Sequence, residues 1–189
     1  MTNDVGVYRT QVPEGYEWVL PIDDADFAVI RGVGERRAGE AWMPIHMSLL
    51  KVDDHGKPQM RSDMPWLGEH VIVLRDEAIE IVGEILRPHG ELLPLLCDEA
   101  RLALFSAPVV EGVLDEAESD IVRFSTGRIM SIRSPAIRSE ALGAISAFKL
   151  AEMPRGDLYL SENLVKEILA TGMTAGTQFK LVAEQQARS

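Results

Sequence analysis

The run Val71-Ile72-Val73-Leu74, followed by Asp76 and the segment Glu77 to Leu86, constrains this chain more than any other feature. Four successive apolar residues without alternation predict a strand covered on both faces. The period then changes. Ala78, Ile79, Val82, Ile85 and Leu86 recur at helical spacing with Ile81 beside them, while Glu77, Glu80 and Glu84 fall on the wet side. Asp76 stands where an N-cap belongs, and Pro88 and Gly90 end the helix. The pattern recurs near the end of the chain. Leu158 to Leu160 predicts a strand, Ser161 a cap, and the residues through Ala170 a helix. Leu164, Val165, Ile168 and Leu169 form its apolar side, Glu162 and Lys166 pair on the other, and Gly172 stops it. Ile72 to Ile79 thus runs parallel to Leu158 to Val165. This is either an internal duplication or two independent solutions to one strand–helix junction.

Short strands dominate elsewhere. Tyr16 to Leu20 predicts a strand stopped by Pro21, and Trp42 to Leu50 one interrupted at Pro44. Leu92 to Cys97 and Arg101 to Ala107 bracket a turn at Asp98-Glu99. Ile121 to Phe124 and Arg128 to Ile132 bracket Ser125-Thr126-Gly127, a hairpin signature. Ala147 to Leu150 and Gln178 to Val182 complete the set. Asp53-Asp54-His55-Gly56 reads as a turn, and Val113 to Glu118 and Ser139 to Leu142 as short helical turns. Residues 1–15 read as a loose lead-in, and 23–40 as loop with short extended pieces. Many strands with two sound helices predict an α+β fold: a largely antiparallel or mixed sheet with two main amphipathic helices packed on it. The 189 residues suit a single domain, with 1–65 a smaller strand- and loop-rich lobe, 66–182 the main body, and 183–189 a frayed tail.

The net charge is −11 and the sequence pI about 4.8. This argues against a nucleic-acid partner, which needs clustered Lys and Arg, and against an anionic membrane surface. It suits a basic protein partner. No apolar stretch approaches the length of a membrane span, and the first residues lack the features of a secretory signal, so the expected location is cytoplasmic. The one cysteine, Cys97, follows the apolar run Leu92 to Leu96 and is expected as a buried, inert thiol in a reducing compartment.

Signatures of chemistry are sparse. The chain has no phosphate-binding loop, nucleophile elbow, HExxH or paired CxxC, and Gly32-Val33-Gly34 is only a fragment of a dinucleotide fingerprint. His46, His55, His70 and His89 are scattered. Folding could gather two of them with Asp53, Asp54 or Asp63 around a metal, but packing and turn roles are the simpler expectation, so neither metal nor cofactor is expected. Glu91, at the mouth of Leu92-Leu93-Pro94-Leu95-Leu96, is either a general acid or a carboxylate that fixes a turn through backbone N–H groups or an Arg. Asp115-Glu116-Ala117-Glu118-Ser119-Asp120 has no basic residue, and with Asp98 and Glu99 it makes either an acidic patch or a solvated loop.

Arg87-Pro88-His89-Gly90-Glu91-Leu92-Leu93-Pro94-Leu95 resembles the hallmark "hGELLPL" segment of a bacterial family, the eleventh catalogued family of predicted immunity proteins of polymorphic toxin systems. Further pieces follow in that family's order. Asp63-Met64-Pro65-Trp66-Leu67 resembles its "D-x-P-W" segment, Val113-Leu114-Asp115 with Ser119 its "VLD…S", and Phe148-Lys149-Leu150 its "iFkL" strand. Leu158 through Gly172 to Phe179 resembles its closing strand–helix–"GLtGxxF", with one more residue between the glycines. The likeness spans about Trp42 to Leu181. It implies a cytoplasmic, non-enzymatic protein that binds a cognate toxin tightly and covers its active site or a surface needed for it. Interface candidates are then Asp98, Glu99, Asp115, Glu116 and Glu118, with Trp18 or Trp66 as aromatic anchors. Asp63, Pro65, Gly90, Glu91 and Pro94 are candidate structural positions of the motifs. The alternatives are a homodimeric scaffold and a small enzyme using Glu91 with a nearby histidine.

Overall fold

The computed structural model describes residues 6–37 and 39–184, which contain twelve strands and four helices in an α+β arrangement. In chain order these are β1 (Gly6–Gln11), β2 (Trp18–Pro21), α1 (Asp26–Arg31), β3 (Met47–Leu50), β4 (Ile72–Arg75), α2 (Glu77–Leu86), β5 (Glu91–Leu95) and β6 (Leu102–Ser106). Then come β7 (Val109–Val110), β8 (Asp120–Arg123), β9 (Ile129–Ser134), α3 (Ser139–Leu142), β10 (Ala147–Leu150), β11 (Tyr159–Ser161), α4 (Glu162–Ala170) and β12 (Gln178–Glu184). A mixed five-stranded sheet has the order β12-β1-β11-β10-β7, and a three-stranded antiparallel sheet the order β4-β6-β5. Two antiparallel ribbons, β2-β3 and β8-β9, complete the set.

The two segments that resemble each other open units of the same topology. β4 and β5 flank β6, which is antiparallel to both, and α2 joins β4 to β5. β11 and β12 flank β1 in the same way, and α4 joins them. The difference is the source of the middle strand: β6 comes directly after β5, whereas β1 arrives from the start of the chain.

Burial explains the unbroken apolar runs. Ile72 and Leu74 join Phe105 and the inner sides of α2 and α4 in a central cluster, to which the five-stranded sheet contributes Ala147 and Leu160, with Leu158 just ahead of β11. Val73, on the other face of β4, joins Val19, Met47, Leu49, Leu93 and Leu104 in a second cluster beneath the β2-β3 ribbon. Phe148, Leu150 and Tyr159, on the opposite face of the five-stranded sheet, form a third with Val113, Leu114 and Ile132. Both sheets are therefore covered on both faces, and only such strands can be apolar at consecutive positions without exposing that surface.

Several expectations are corrected. Residues 6–11 are not lead-in but β1, seated between β11 and β12. A break at residue 65 does not separate a lobe from a body, because β1 belongs to the large sheet and the β2-β3 ribbon shares a core with β4-β6-β5. The 23–40 stretch holds α1 and a 3₁₀ turn, Val33–Glu35. β12 extends through Glu184, and the remaining tail positions lie outside the described residues. Leu169 is exposed rather than part of the α4 stripe. Ser161 caps α4 by accepting a bond from the Leu164 backbone N–H (3.4 Å). Asp76 does not cap α2. Its φ is +50°, and its carboxylate accepts bonds from the Arg101 backbone N–H (3.0 Å), Arg61 (3.0 Å) and Arg75 (3.2 Å). Burial pushes this carboxyl up, but those bonds outweigh it and hold the group below its ordinary value.

Candidate functional site

β2 alternates in its burial, yet nearly all its residues are apolar. Val19 points into the second core and Pro21 is buried, whereas Trp18 is exposed and Leu20, half-buried, packs against the edge of that core. On β3, Met47 and Leu49 are inward and Ser48 and Leu50 outward. The register places Trp18 directly opposite Leu50 and Leu20 opposite Ser48. Beyond the strand ends the outward row continues with Ile22, whose N–H donates to the His46 carbonyl (2.9 Å), and with Val52. Leu96 joins through its bridge to His46, and Met60 through its bridge to Tyr16. Trp18 is 43% exposed and Ile22 66%, with Leu50, Val52, Met60 and Leu96 also open. A two-stranded ribbon that packs one apolar face on a core normally presents a polar one to water. An exposed apolar face of this breadth is the usual mark of an interaction surface.

The expected acidic residues fall at two separate places. Asp98 and Glu99 lie in the β5–β6 turn, alongside this face, since Glu99 pairs with Lys51, the residue after Leu50. Asp115, Glu116 and Glu118 lie between β7 and β8, next to the third core. There Glu116 pairs with Arg123 (2.5 Å) and Asp115 with Arg138 (3.4 Å). The carboxylate and carbonyl of Asp115 also accept bonds from Ala117 N–H and Ser119 Oγ, so this loop is tied to its own hairpin.

Trp66 is buried (9%), with its carbonyl accepting from Val19 N–H, so it is a core residue and not an exposed anchor. Its segment is a seam. Asp63 accepts from Arg75 N–H and donates its own N–H to the Ala175 carbonyl (each 2.9 Å), and Pro65 is buried behind it. Glu17 and Arg75 form a buried ion pair against the same seam, and Ser62 donates to the Glu17 carbonyl (2.9 Å).

The Gly90-Glu91 segment borders a cleft of about 450 Å³, which Arg36, His89, Ser106 and Ile145 also line. Gly90 is required sterically: a Cβ there would meet Phe105 Cε2 at 2.7 Å and run into the Ser106 carbonyl. Among the described residues no backbone N–H donates to the Glu91 carboxylate. That group, 53% exposed, takes a 3.2 Å ion pair from Arg36, which also donates to the Glu40 carbonyl and lies 5.2 Å from the Trp42 ring. Trp42 Nε1 donates to the Pro94 carbonyl (2.7 Å). Pro94, lacking an N–H, sits on β5 at the sheet edge, where a strand tolerates it. His89, Glu91 and Ser106 are residue types capable of proton transfer, but the carboxylate is committed to Arg36.

Behind the cleft wall, Lys149 is fully buried on β10. Its Nζ has no hydrogen-bond partner among the described residues, and its stem passes so close to Gly34 that a Cβ there would lie 3.1 Å from Cδ. Burial pulls this amine down to about 8, against the opposing pull of Asp157 and Glu35. His70 Nε2 is also buried without a partner, and burial, then the charges of Lys149 and Arg31, lower the imidazole to about 4. Cys97 is half-buried at the edge of the second core. Among the described residues no group of three or more His, Cys, Asp or Glu is placed to hold a metal ion, and no helix is long and apolar enough to cross a membrane.

No protein-family model matches the chain, and no curated protein matches it. Of the residues singled out in the sequence, the structure gathers Trp18, Asp98 and Glu99 along one face. Ile22, Leu50, Val52 and Met60 were missed as members of it. The available signal was Tyr16-Glu17-Trp18-Val19-Leu20-Pro21-Ile22, a strand whose two faces are both apolar at its centre; the sequence alone does not say which of them is left open.

Proposed function

We propose that this chain is a non-enzymatic protein-binding module that neutralises a cognate protein toxin by occlusion, as the resemblance to predicted immunity proteins implies. The observation that supports it is the open apolar face of the β2-β3 ribbon, with Trp18 across from Leu50 and Asp98 and Glu99 beside it. Tryptophan dominates the energetics of protein interfaces, and a rim of charge sets on-rate and partner choice. A standard interface buries roughly 800 Å² per partner, and the turns around this face extend the surface it offers. Neutralisation by occlusion needs no cofactor and no reaction. It needs a folded surface that docks with little rearrangement and dissociates slowly.

The test is growth rescue together with co-purification. Cells expressing a candidate toxin domain from a neighbouring gene should survive when the chain is co-expressed, and the two proteins should elute as one complex. Survival without a complex, or a complex without survival, contradicts occlusion.

A further inference from the structure

We infer that the β2-β3 face accepts a protein surface with an apolar centre ringed by lysine and arginine, and not a second copy of this chain. The inference rests on the reading of this face as a docking surface and adds the chemistry of what docks there. The turns that border the face carry Asp23, Asp24, Asp53, Asp54, Asp98 and Glu99, all exposed, against Lys51, Lys57 and Arg61, the last already held by Asp63 and Asp76. Lys51 is already engaged by Glu99. Asp23 and Asp53 are partly used in fixing their own turns, through Ala25 N–H and through His55 and Lys57 N–H (each 2.9 Å). Asp24, Asp54 and Asp98 make no side-chain hydrogen bond or ion pair among the described residues.

The face is therefore apolar at its centre and anionic around its edge. A neutral apolar partner would gather those carboxylates around a dry contact with nothing to offset them. A second copy related by a two-fold axis would bring the same carboxylates toward themselves, and like charges facing each other across an interface repel. A basic partner turns the same groups into steering charges and rim ion pairs. The loop at 115–118 has comparable charge, but Asp115 and Glu116 are paired with arginines of their own hairpin, and that hairpin exposes only Phe124 and Met130 among its large apolar side chains, against six on the β2-β3 face among the described residues.

The experiment uses the full chain and two synthetic probes, a short strand-forming peptide of alternating leucine and lysine and its leucine–glutamate counterpart, with backbone amide shifts as the map. The leucine–lysine peptide is expected to move the amides of residues 18–20, 22, 46–52 and 96–99, and the leucine–glutamate peptide to leave them in place. Trp18→Ala and Ile22→Ser should each weaken binding on the order of tenfold. Circular dichroism melting checks that both variants remain folded, and Ile22→Ser, at the more exposed position, is the safeguard for Trp18→Ala. Two variants with the same charge change decide the location. D24N/D54N/D98N should weaken the peptide several-fold and flatten its salt dependence, whereas D115N/E116Q/E118Q should bind as the wild type does. Shifts centred on 115–118, or equal weakening by the two triple variants, overturn the inference. So does sedimentation showing a dimer that Trp18→Ala dissolves. Failure of growth rescue with normal peptide binding removes the toxin-neutralising role and leaves the face standing. Rescue with peptide shifts centred elsewhere does the reverse.

Discussion

Lys149 is the residue whose placement costs the protein most visibly. A fully buried amine without a hydrogen-bond partner is destabilising when charged, and its lowered pKa measures that cost. The folded-state value, about 8, lies below the ordinary 10.5. Between those two values the unfolded chain keeps a proton that the native state has lost, so stability rises with pH across that window, and below it the full cost is present. The shift corresponds to about 3 kcal/mol. Lys149→Met should therefore raise the melting temperature at pH 7, and the gap to wild type should narrow as the pH approaches 10. A gap that is constant with pH would show that the amine is not the cause. The same substitution removes one of the charges that lower His70, so the imidazole pKa, followed by NMR titration, should climb from about 4 toward its ordinary value. Gly90 and Glu91 form a second contrast. Gly90→Ala drives a methyl group into Phe105 and the Ser106 carbonyl and should cost several kcal/mol. Glu91→Ala breaks one half-exposed ion pair and should cost under about 1 kcal/mol by urea denaturation. The sequence suggested a more deeply held carboxylate at Glu91, because the apolar run after it says nothing of which way the preceding side chain turns.

At the scale of elements, the two strand–helix junctions are superficially alike and differ in their chemistry. Ser161→Ala removes a true N-cap and should cost about 1 kcal/mol. Asp76→Ala instead leaves Arg61, Arg75 and the Arg101 N–H without their shared acceptor. It should cost more than the cap does, and denaturation of the two variants side by side gives the order. Helices α2 and α4, the 120–134 hairpin, β10 and the β5–β6 turn were legible in the sequence because each is specified by neighbours: an apolar period, a cap, a glycine at a turn. β1 was not. Gly-Val-Tyr-Arg-Thr-Gln has no clean alternation, and its strand identity comes from partners 150 or more residues away in β11 and β12. α1 is a single short helix in an Asp- and Gly-rich stretch, too brief for a period to show. The acidic candidates were legible as residue types but not as a site, since only folding separates Asp98 and Glu99, beside an apolar face, from Asp115 and Glu116, which are neutralised by their own arginines.

At the scale of the molecule, two sheets are covered on both faces while the β2-β3 ribbon leaves its own outer face open. Large exposed aliphatic and aromatic side chains lower solubility and contribute little to the core, and six of them, Trp18, Ile22, Leu50, Val52, Met60 and Leu96, share this face, which is the basis of the proposed docking surface. On the proposed reading, the overall charge of −11 disfavours self-association and steers basic proteins, and the acidic rim concentrates that effect where the apolar centre lies. The most direct measurement is growth rescue from the toxin domain with three versions of the chain: wild type, Trp18→Ala with Ile22→Ser, and charge reversal at Asp115, Glu116 and Glu118. All three should be folded by circular dichroism. The wild type and the 115–118 reversal should restore growth and the Trp18–Ile22 variant should fail. Full rescue by the Trp18–Ile22 variant, or loss of rescue in the 115–118 reversal alone, would contradict docking through this face.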